Sequence, residues 1–291
     1  MCGIVGYIGP RKAYPVLING LKRLEYRGYD STGIALMNGD IEVFKKKGKV
    51  ADLEAFVGER APEAQLGIGH TRWATHGEPN DTNAHPHVSH SRDFAIIHNG
   101  IIENYLTLKN RLLEKGYTFK SETDTEVLVH LIEDIYKENE VAPQEAVRLA
   151  LSQVQGAFGL AVITKGDTNT LIAARRASPL VIGLGKGEYF VASDATPIVE
   201  YTQNVIYLND DDIAVIKPNQ LTIRTIADEV RDPEVQQLGL KLEAIEKSGY
   251  EHFMKKEIFE QPRSIRDSLR GRISMEKSEV RLGGLDRVMD K

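Results

Sequence analysis

Apolar positions run along the chain in four blocks: strands, then helices, then strands again, then a charged tail. Residues 2–9 (CGIVGYIG) are a nearly unbroken apolar run ended by Gly9-Pro10, which reads as a short core strand with Cys2 at its start. Ala13, Val16, Leu17, Gly20, Leu21 and Leu24 then recur at helical spacing, with Pro15 in the first turn. Residues 32–37 and 41–44 read as a hairpin across Asn38-Gly39-Asp40, ahead of a short helix at 50–57. A glycine-spaced strand begins at Leu66 and runs into Arg72 and Trp73. After a polar loop over 79–91, residues 94–100 (FAIIHNG) form an apolar strand ending in Asn-Gly.

The middle block is helical. Tyr105, Leu108 and Leu112 share one face of a helix over 103–115 that Gly116 stops. Thr123 and Glu126 predict a capping box ahead of a helix over 127–136, and a third helix is expected over 144–153. From 156 to 224, short β-rich runs at 160–162, 171–174, 181–184, 189–192, 206–208, 213–216 and 221–223 alternate with turn residues. This order predicts an α+β fold of stacked sheet and helix layers with mainly antiparallel pairing. Beyond residue 226 the pattern turns to charged helices, at 234–247 and 251–269, and then to a stretch with little to pack against. The expected division is a domain over 1–225, followed over 226–291 by a helical linker and the entrance to a further domain.

Composition narrows the function classes. The 291 residues are 41% hydrophobic and 27% charged, as in a globular protein, and the net charge of −5 with no basic, aromatic-interleaved stretch argues against nucleic acid as a partner. No run approaches the ~20 apolar residues of a membrane span, and no signal peptide is visible. One cysteine rules out an internal disulfide and suits a reducing compartment, so the cytoplasm is the expected location. Neither a dinucleotide-binding nor a phosphate-binding glycine loop occurs, and no cofactor is expected.

That single cysteine, Cys2, would become the N-terminal residue on removal of Met1. A thiol of pKa about 8.5 and an α-amine of roughly 7.7–8.0 would then share one residue, which lets the amine take the thiol proton. The alternative is an inert buried thiol. Arg72 suits a carboxylate, or it is a surface arginine beside a half-buried Trp73. His85, His87 and His90 invite a metal, yet HxHxxH without cysteine is a weak signal and no metal site is expected. Asn99 and Gly100 read either as oxyanion donors or as a plain Asn-Gly turn. Asp124 is either a partner for a substrate ammonium or an acid favoured by the helix dipole.

Together these residues resemble the class II glutamine amidotransferases, a branch of the N-terminal-nucleophile hydrolases, along essentially the whole chain. Met1-Cys2-Gly3-Ile4 followed by an Arg-Gly loop matches the class. Residues 24–31 (LEYRGYDS), 69–77 (GHTRWATHG), 121–127 (SETDTEV) and 251–262 (EHFMKKEIFEQP) resemble the members that aminate a sugar phosphate. The resemblance implies a four-layer αββα sandwich. It implies Cys2 as nucleophile with its own α-amine as base, and Asn99 and Gly100 as the oxyanion hole. Arg72 would hold the substrate α-carboxylate and Asp124 its α-ammonium. Thr75, His76 and Gly77 would line the pocket, Trp73 would close it and gate ammonia, and Arg27 would support the nucleophile loop. The implied substrate is L-glutamine. In a longer protein the ammonia would convert fructose 6-phosphate to glucosamine 6-phosphate, and that protein would be a homodimer through sugar-isomerase domains beyond Lys291. This chain alone is expected to hydrolyse glutamine without making the amino sugar. Two rivals stand beside this reading. An N-terminal-nucleophile amidase for another amide would need no Arg/Asp pair, and a non-catalytic module would be expected to have lost one of the key residues.

Overall fold

The computed structural model describes residues 2–74, 77–239, 250–269, 273–274 and 279–280. Contacts divide the chain into one unit over Met1–Gly239 and a second over Leu240–Lys291. The first unit opens with β1 (Gly3–Ile8), α1 (Ala13–Leu24), the hairpin β2 (Ser31–Met37) and β3 (Ile41–Lys47), α2 (Val50–Val57) and β4 (Leu66–Arg72). Next come β5 (His87–Val88), β6 (Phe94–Ile102) and the helices α3 (Tyr105–Glu114), α4 (Asp124–Asn139) and α5 (Pro143–Ser152). The second strand block is β7 (Gly156–Thr164), β8 (Asp167–Arg176), β9 (Val181–Leu184), β10 (Tyr189–Ala192), β11 (Asn204–Tyr207), β12 (Asp212–Lys217) and β13 (Gln220–Thr225). Two short strands follow, β14 (Val230–Arg231) and β15 (Gln236–Gln237).

These strands make two antiparallel sheets. One has the order β15-β11-β9-β10-β1-β4-β2-β3, and the other β14-β13-β12-β8-β7-β6-β5. One apolar core lies between the sheets, where Ile4, Ile8 and Ile68 meet Ala95, Ile97 and Ala161. A second core lies between the outer face of the β6/β7 sheet and the three central helices, with Phe94, Ile96 and Phe158 against Val127, Leu131 and Val147. Helices α1 and α2 pack on the other sheet, against β1 and β4 and against β3. The architecture is the four-layer αββα sandwich.

The period of two in β1 and β4 sorts their side chains between these layers. Ile4 and Ile8 face the inter-sheet core, while Gly3, Gly67 and Gly69 lie under α1. A Cβ on Gly3 would sit 2.8 Å from Leu24, one on Gly67 2.9 Å from Leu17, and one on Gly69 3.1 Å from Leu21. The glycines therefore let the helix stripe Leu17, Leu21 and Leu24 close onto the strands. All three leucines are fully buried, each worth roughly 1.5–3 kcal/mol. Strand β1 is thus clamped by a helix on one side and a sheet on the other, and the residue just before it inherits that rigidity.

Several expectations need correction. Asn99 and Gly100 are not a turn: β6 runs on through them to Ile102, with Gly100 paired to Phe158 of β7. Gly100 adopts φ +130°, and a Cβ there would lie 2.0 Å from the Ala157 carbonyl oxygen, so the local backbone requires glycine. The capping box at α4 is half formed. Thr123 Oγ1 accepts from the Glu126 N–H at 3.4 Å, but the Glu126 carboxylate accepts from the Lys120 and Ser121 backbone N–H groups instead of the Thr123 one. Within the polar loop after residue 79, Ala84, His85 and His87 are buried. The helix expected over 234–247 is absent from residues 234–239, where β15 instead pairs with β11 and occupies an otherwise open sheet edge. Residues 240–249 lie outside the described ones. In the second unit the helix α6 (Phe253–Leu269) carries Pro262, and Ile273–Ser274 pair with Glu279–Val280.

Candidate active site

Strands β1 and β4 pair antiparallel with Gly3 opposite Thr71, so Cys2, just before β1, and Arg72, at the end of β4, come side by side. The Trp73 backbone N–H donates to Cys2 Sγ at 3.2 Å, and the thiol points back at the Trp73 carbonyl at 3.6 Å. Burial pushes the Cys2 thiol up from its ordinary range, opposed by the Trp73 N–H, while the Asp30 carboxylate adds to the rise and Arg72 opposes it. A thiol held this way would need a base beside it to act as a nucleophile.

Asn99 arrives from the facing sheet. It shares the inward face of β6 with Ala95 and Ile97, and its amide Nδ2 donates to the Cys2 carbonyl at 3.2 Å. An amide NH2 carries a second N–H besides the one donated here. Gly100 lines the same small cavity as Cys2, Arg72, Trp73, Asp124 and Thr125. That cavity measures about 30 Å³, room for water but not for an amino acid.

The charged groups come from two further elements. Arg72 ends β4, is buried, and donates to the carbonyls of Gly77 and Glu78 at 3.4 Å each. Asp124 opens α4, where the helix dipole favours an acid, and is also buried. Its carboxylate accepts from the Ile102 N–H at 2.7 Å, which ties the start of α4 to the end of β6. A guanidinium and a carboxylate thus flank a thiol with an amide opposite it. This suits a substrate carrying an α-carboxylate, an α-ammonium and a carbonyl to be attacked.

The remaining expected residues are placed as follows. Arg27 lies in a short 3₁₀ turn, Glu25–Arg27, and donates to the Ser193 carbonyl at 3.2 Å; Ser193 in turn accepts from the Ile4 N–H through Oγ at 3.0 Å. It therefore braces the strand that follows Cys2. Trp73 lines the same cavity and leaves 56% of its surface exposed. Gly77 has φ +74° and supplies a carbonyl to Arg72. Thr75 and His76 lie outside the described residues.

His85 and His87 are buried and engaged with protein groups. His85 Nδ1 lies 3.1 Å from His70 Nδ1 and its Nε2 3.0 Å from Thr125 Oγ1, while His87 Nε2 lies 3.1 Å from Thr123 Oγ1. Among the described residues, no group of three or more His, Cys, Asp or Glu side chains is arranged to hold a metal. Sequence reasoning passed over His70, His98, Thr125 and Asp30. The alternation Leu66, Ile68, His70, Arg72 could have placed His70 on the inner face of β4. Asp30 accepts from the Ala74 N–H and from Ser31 Oγ, and nothing in its polar loop marked it.

A family profile described as "Glutamine amidotransferase domain" matches residues 70–200. Glutamine–fructose-6-phosphate aminotransferase of Chlorobaculum tepidum is 53% identical over 100% of this chain and 48% of its own length. The protein of the same name in Bacteroides thetaiotaomicron is 57% identical over 98% of this chain and 47% of its own. The chain thus spans about half the length of the curated relatives it matches. Among solved structures, the glutamine phosphoribosylpyrophosphate amidotransferase from B. subtilis superimposes with a TM-score of 0.68 at 25% identity, covering 79% of this chain and 50% of that one. The chain carries a glutamine amidotransferase domain with the N-terminal-nucleophile fold, and along its whole length it is similar to about half the length of the glutamine–fructose-6-phosphate aminotransferases.

Proposed function

We propose that this chain hydrolyses L-glutamine to glutamate and ammonia through a γ-glutamyl thioester on Cys2. The observation that carries the proposal is the convergence of the Cys2 thiol, the Asn99 amide, Arg72 and Asp124 at one end of the inter-sheet layer. With Met1 removed, the Cys2 α-amine takes the thiol proton and the sulfur attacks the side-chain amide carbon. The oxyanion is met by Asn99 Nδ2–H and the Gly100 N–H. The amine returns the proton to the departing nitrogen and ammonia leaves. The same amine then deprotonates a water that opens the thioester, so glutamine and water become glutamate and ammonia. Arg72 and Asp124 hold the amino-acid head group, which distinguishes this reading from an amidase for a substrate lacking one.

Thr75, His76 and Gly77 line the glutamine pocket in this proposal, Trp73 closes over it, and Arg27 supports the nucleophile strand. Within a longer protein, the ammonia would be passed on to fructose 6-phosphate, in keeping with the names of the relatives. The division into a glutaminase domain over 1–225 and the start of a sugar-isomerase part over 226–291 belongs to the same proposal, as does a homodimer formed through that part. A cytoplasmic location is supported by the need for a free thiol. Among the described residues no helix is long and apolar enough to cross a membrane.

Hydroxylamine tests the mechanism. It should divert the thioester to γ-glutamyl hydroxamate in the wild-type protein and not in Cys2→Ala. Glutamate release without any hydroxamate would contradict a covalent intermediate.

A further inference from the structure

His98 and Asn99 are neighbours in β6 whose side chains leave opposite faces of the sheet, and a chain of side chains joins them again. Asn99 Oδ1 lies 2.9 Å from His70 Nε2, and His70 Nδ1 lies 3.1 Å from His85 Nδ1. His85 Nε2 lies 3.0 Å from Thr125 Oγ1, and Thr125 Oγ1 lies 3.0 Å from His98 Nδ1. The circuit passes the end of β5, which pairs only with Ala95 and Ile96 of β6. All five residues are buried.

The hydrogen order around this circuit is determined by elementary donor and acceptor rules. The Cys2 carbonyl can only accept, so the Asn99 end facing it is the NH2 and the end facing His70 is the oxygen. His70 must therefore carry its proton on Nε2. Burial pushes the His70 and His85 rings down from their ordinary range, His70 to about 3, so each ring is neutral at physiological pH. His70 Nδ1 is then a bare acceptor, His85 Nδ1 carries a proton, and His85 Nε2 is bare. The Thr125 hydroxyl has to donate to His85, and its lone pair accepts from His98 Nδ1–H. With every one of these hydrogen bonds kept, reversing one member requires reversing all of them, which would turn the Asn99 oxygen toward the Cys2 carbonyl.

We propose that His70, His85, Thr125 and His98 are positioning residues for the nucleophile site, forming a directional hydrogen-bond circuit that fixes which end of the Asn99 amide faces Cys2. The inference rests on the glutaminase reading above. It adds a link between the two halves of the site. Thr125 sits beside Asp124 in the first turn of α4, so the element carrying the ammonium partner also holds the oxyanion donor in orientation.

The test compares Thr125→Val, which keeps the shape and removes the hydroxyl, with Thr125→Ser, which restores it. Three readouts are used: glutamate release, alkylation of Cys2 by iodoacetamide, and ¹⁵N-histidine spectra that report ring tautomers. The expected result for Thr125→Val is a kcat lower by roughly tenfold or more, short of the ~10²–10³ expected for loss of the donor itself. Its KM for glutamine should stay within about twofold. Thr125→Ser should keep kcat within about twofold of wild type, and alkylation should match in all three proteins, because that reaction uses the thiol and not the amide. In the wild-type spectra His70 should carry its proton on Nε2, and His85 and His98 on Nδ1. Opposite tautomers in the wild type, an unchanged kcat in Thr125→Val, or an equal loss in Thr125→Ser would overturn the proposal. Failure of the wild type to release glutamate would instead count against the glutaminase reading, and the tautomers would still decide the circuit.

Discussion

The backbone N–H of Trp73 lies 3.2 Å from the Cys2 sulfur, and the Trp73 carbonyl lies 3.6 Å from it. The sulfur is therefore held against the end of β4, and burial raises the thiol's pKa from the ordinary value while the Trp73 N–H opposes the rise. A raised thiol pKa means a smaller thiolate fraction at neutral pH. Iodoacetamide should accordingly modify Cys2 more slowly near pH 7 than it modifies a free cysteine of pKa about 8.5, and the rate should keep climbing above that pH. A rate already at its plateau by neutrality would contradict this account of the thiol.

The proposed head-group pair, Arg72 and Asp124, should act on binding. Asp124→Asn keeps an acceptor for the Ile102 N–H and removes only the charge. The expected outcome is a KM for glutamine raised about tenfold or more with little loss of thermal stability, since a charge-assisted hydrogen bond is worth roughly 1.5–3 kcal/mol. Arg72→Lys should raise KM as well, because lysine cannot present two parallel donors to a carboxylate. An unchanged KM in both would move the substrate away from this pocket.

The proposed oxyanion donors, Asn99 and Gly100, separate by mechanism. Asn99→Ala should lower kcat by ~10²–10³ with the fold intact. Gly100→Ala should do more. Its Cβ would lie 2.0 Å from the Ala157 oxygen at φ +130°, so β6 and β7 must part there. A stability loss above about 2 kcal/mol is expected alongside inactivity, measured by urea unfolding.

How much of this was readable in advance depended on whether the deciding contacts were local. Strands β9 and β10 matched their apolar runs residue for residue, because a four-residue apolar run bounded by turns leaves few alternatives. Cys2, Arg72, Asn99 and Asp124 were legible as residue types, and the structure brings all four together. Asn99-Gly100 looked equally like a turn, since what keeps it extended is pairing with Gly159 and Phe158, some sixty positions away. His85 and His87 suggested a metal because their real partners, His70, Thr123 and Thr125, are scattered along the chain. The stretch after Glu234 read as a helix by charge and period, while its actual partner is a sheet edge at Asn204 and Val205.

The buried histidines make stability depend on acid. Burial holds His70 at about 3 and His85 and His87 well below the ordinary value, and it lowers His98 and His130. The unfolded chain therefore binds protons that the folded one does not as pH falls through about 6.5, and stability present above that pH is lost below it. Each such histidine contributes up to about 1.4 kcal/mol per pH unit. Urea midpoints should fall from about pH 7.5 to 6 and again to 5, and a midpoint unchanged across that range would contradict the burial of neutral rings.

The most direct test of the central claim is intact mass measured together with glutamate release from glutamine, for the wild-type protein and Cys2→Ala. The account predicts a wild-type mass lacking Met1 and turnover that disappears in the variant. A processed protein whose turnover survives the loss of the thiol would contradict it.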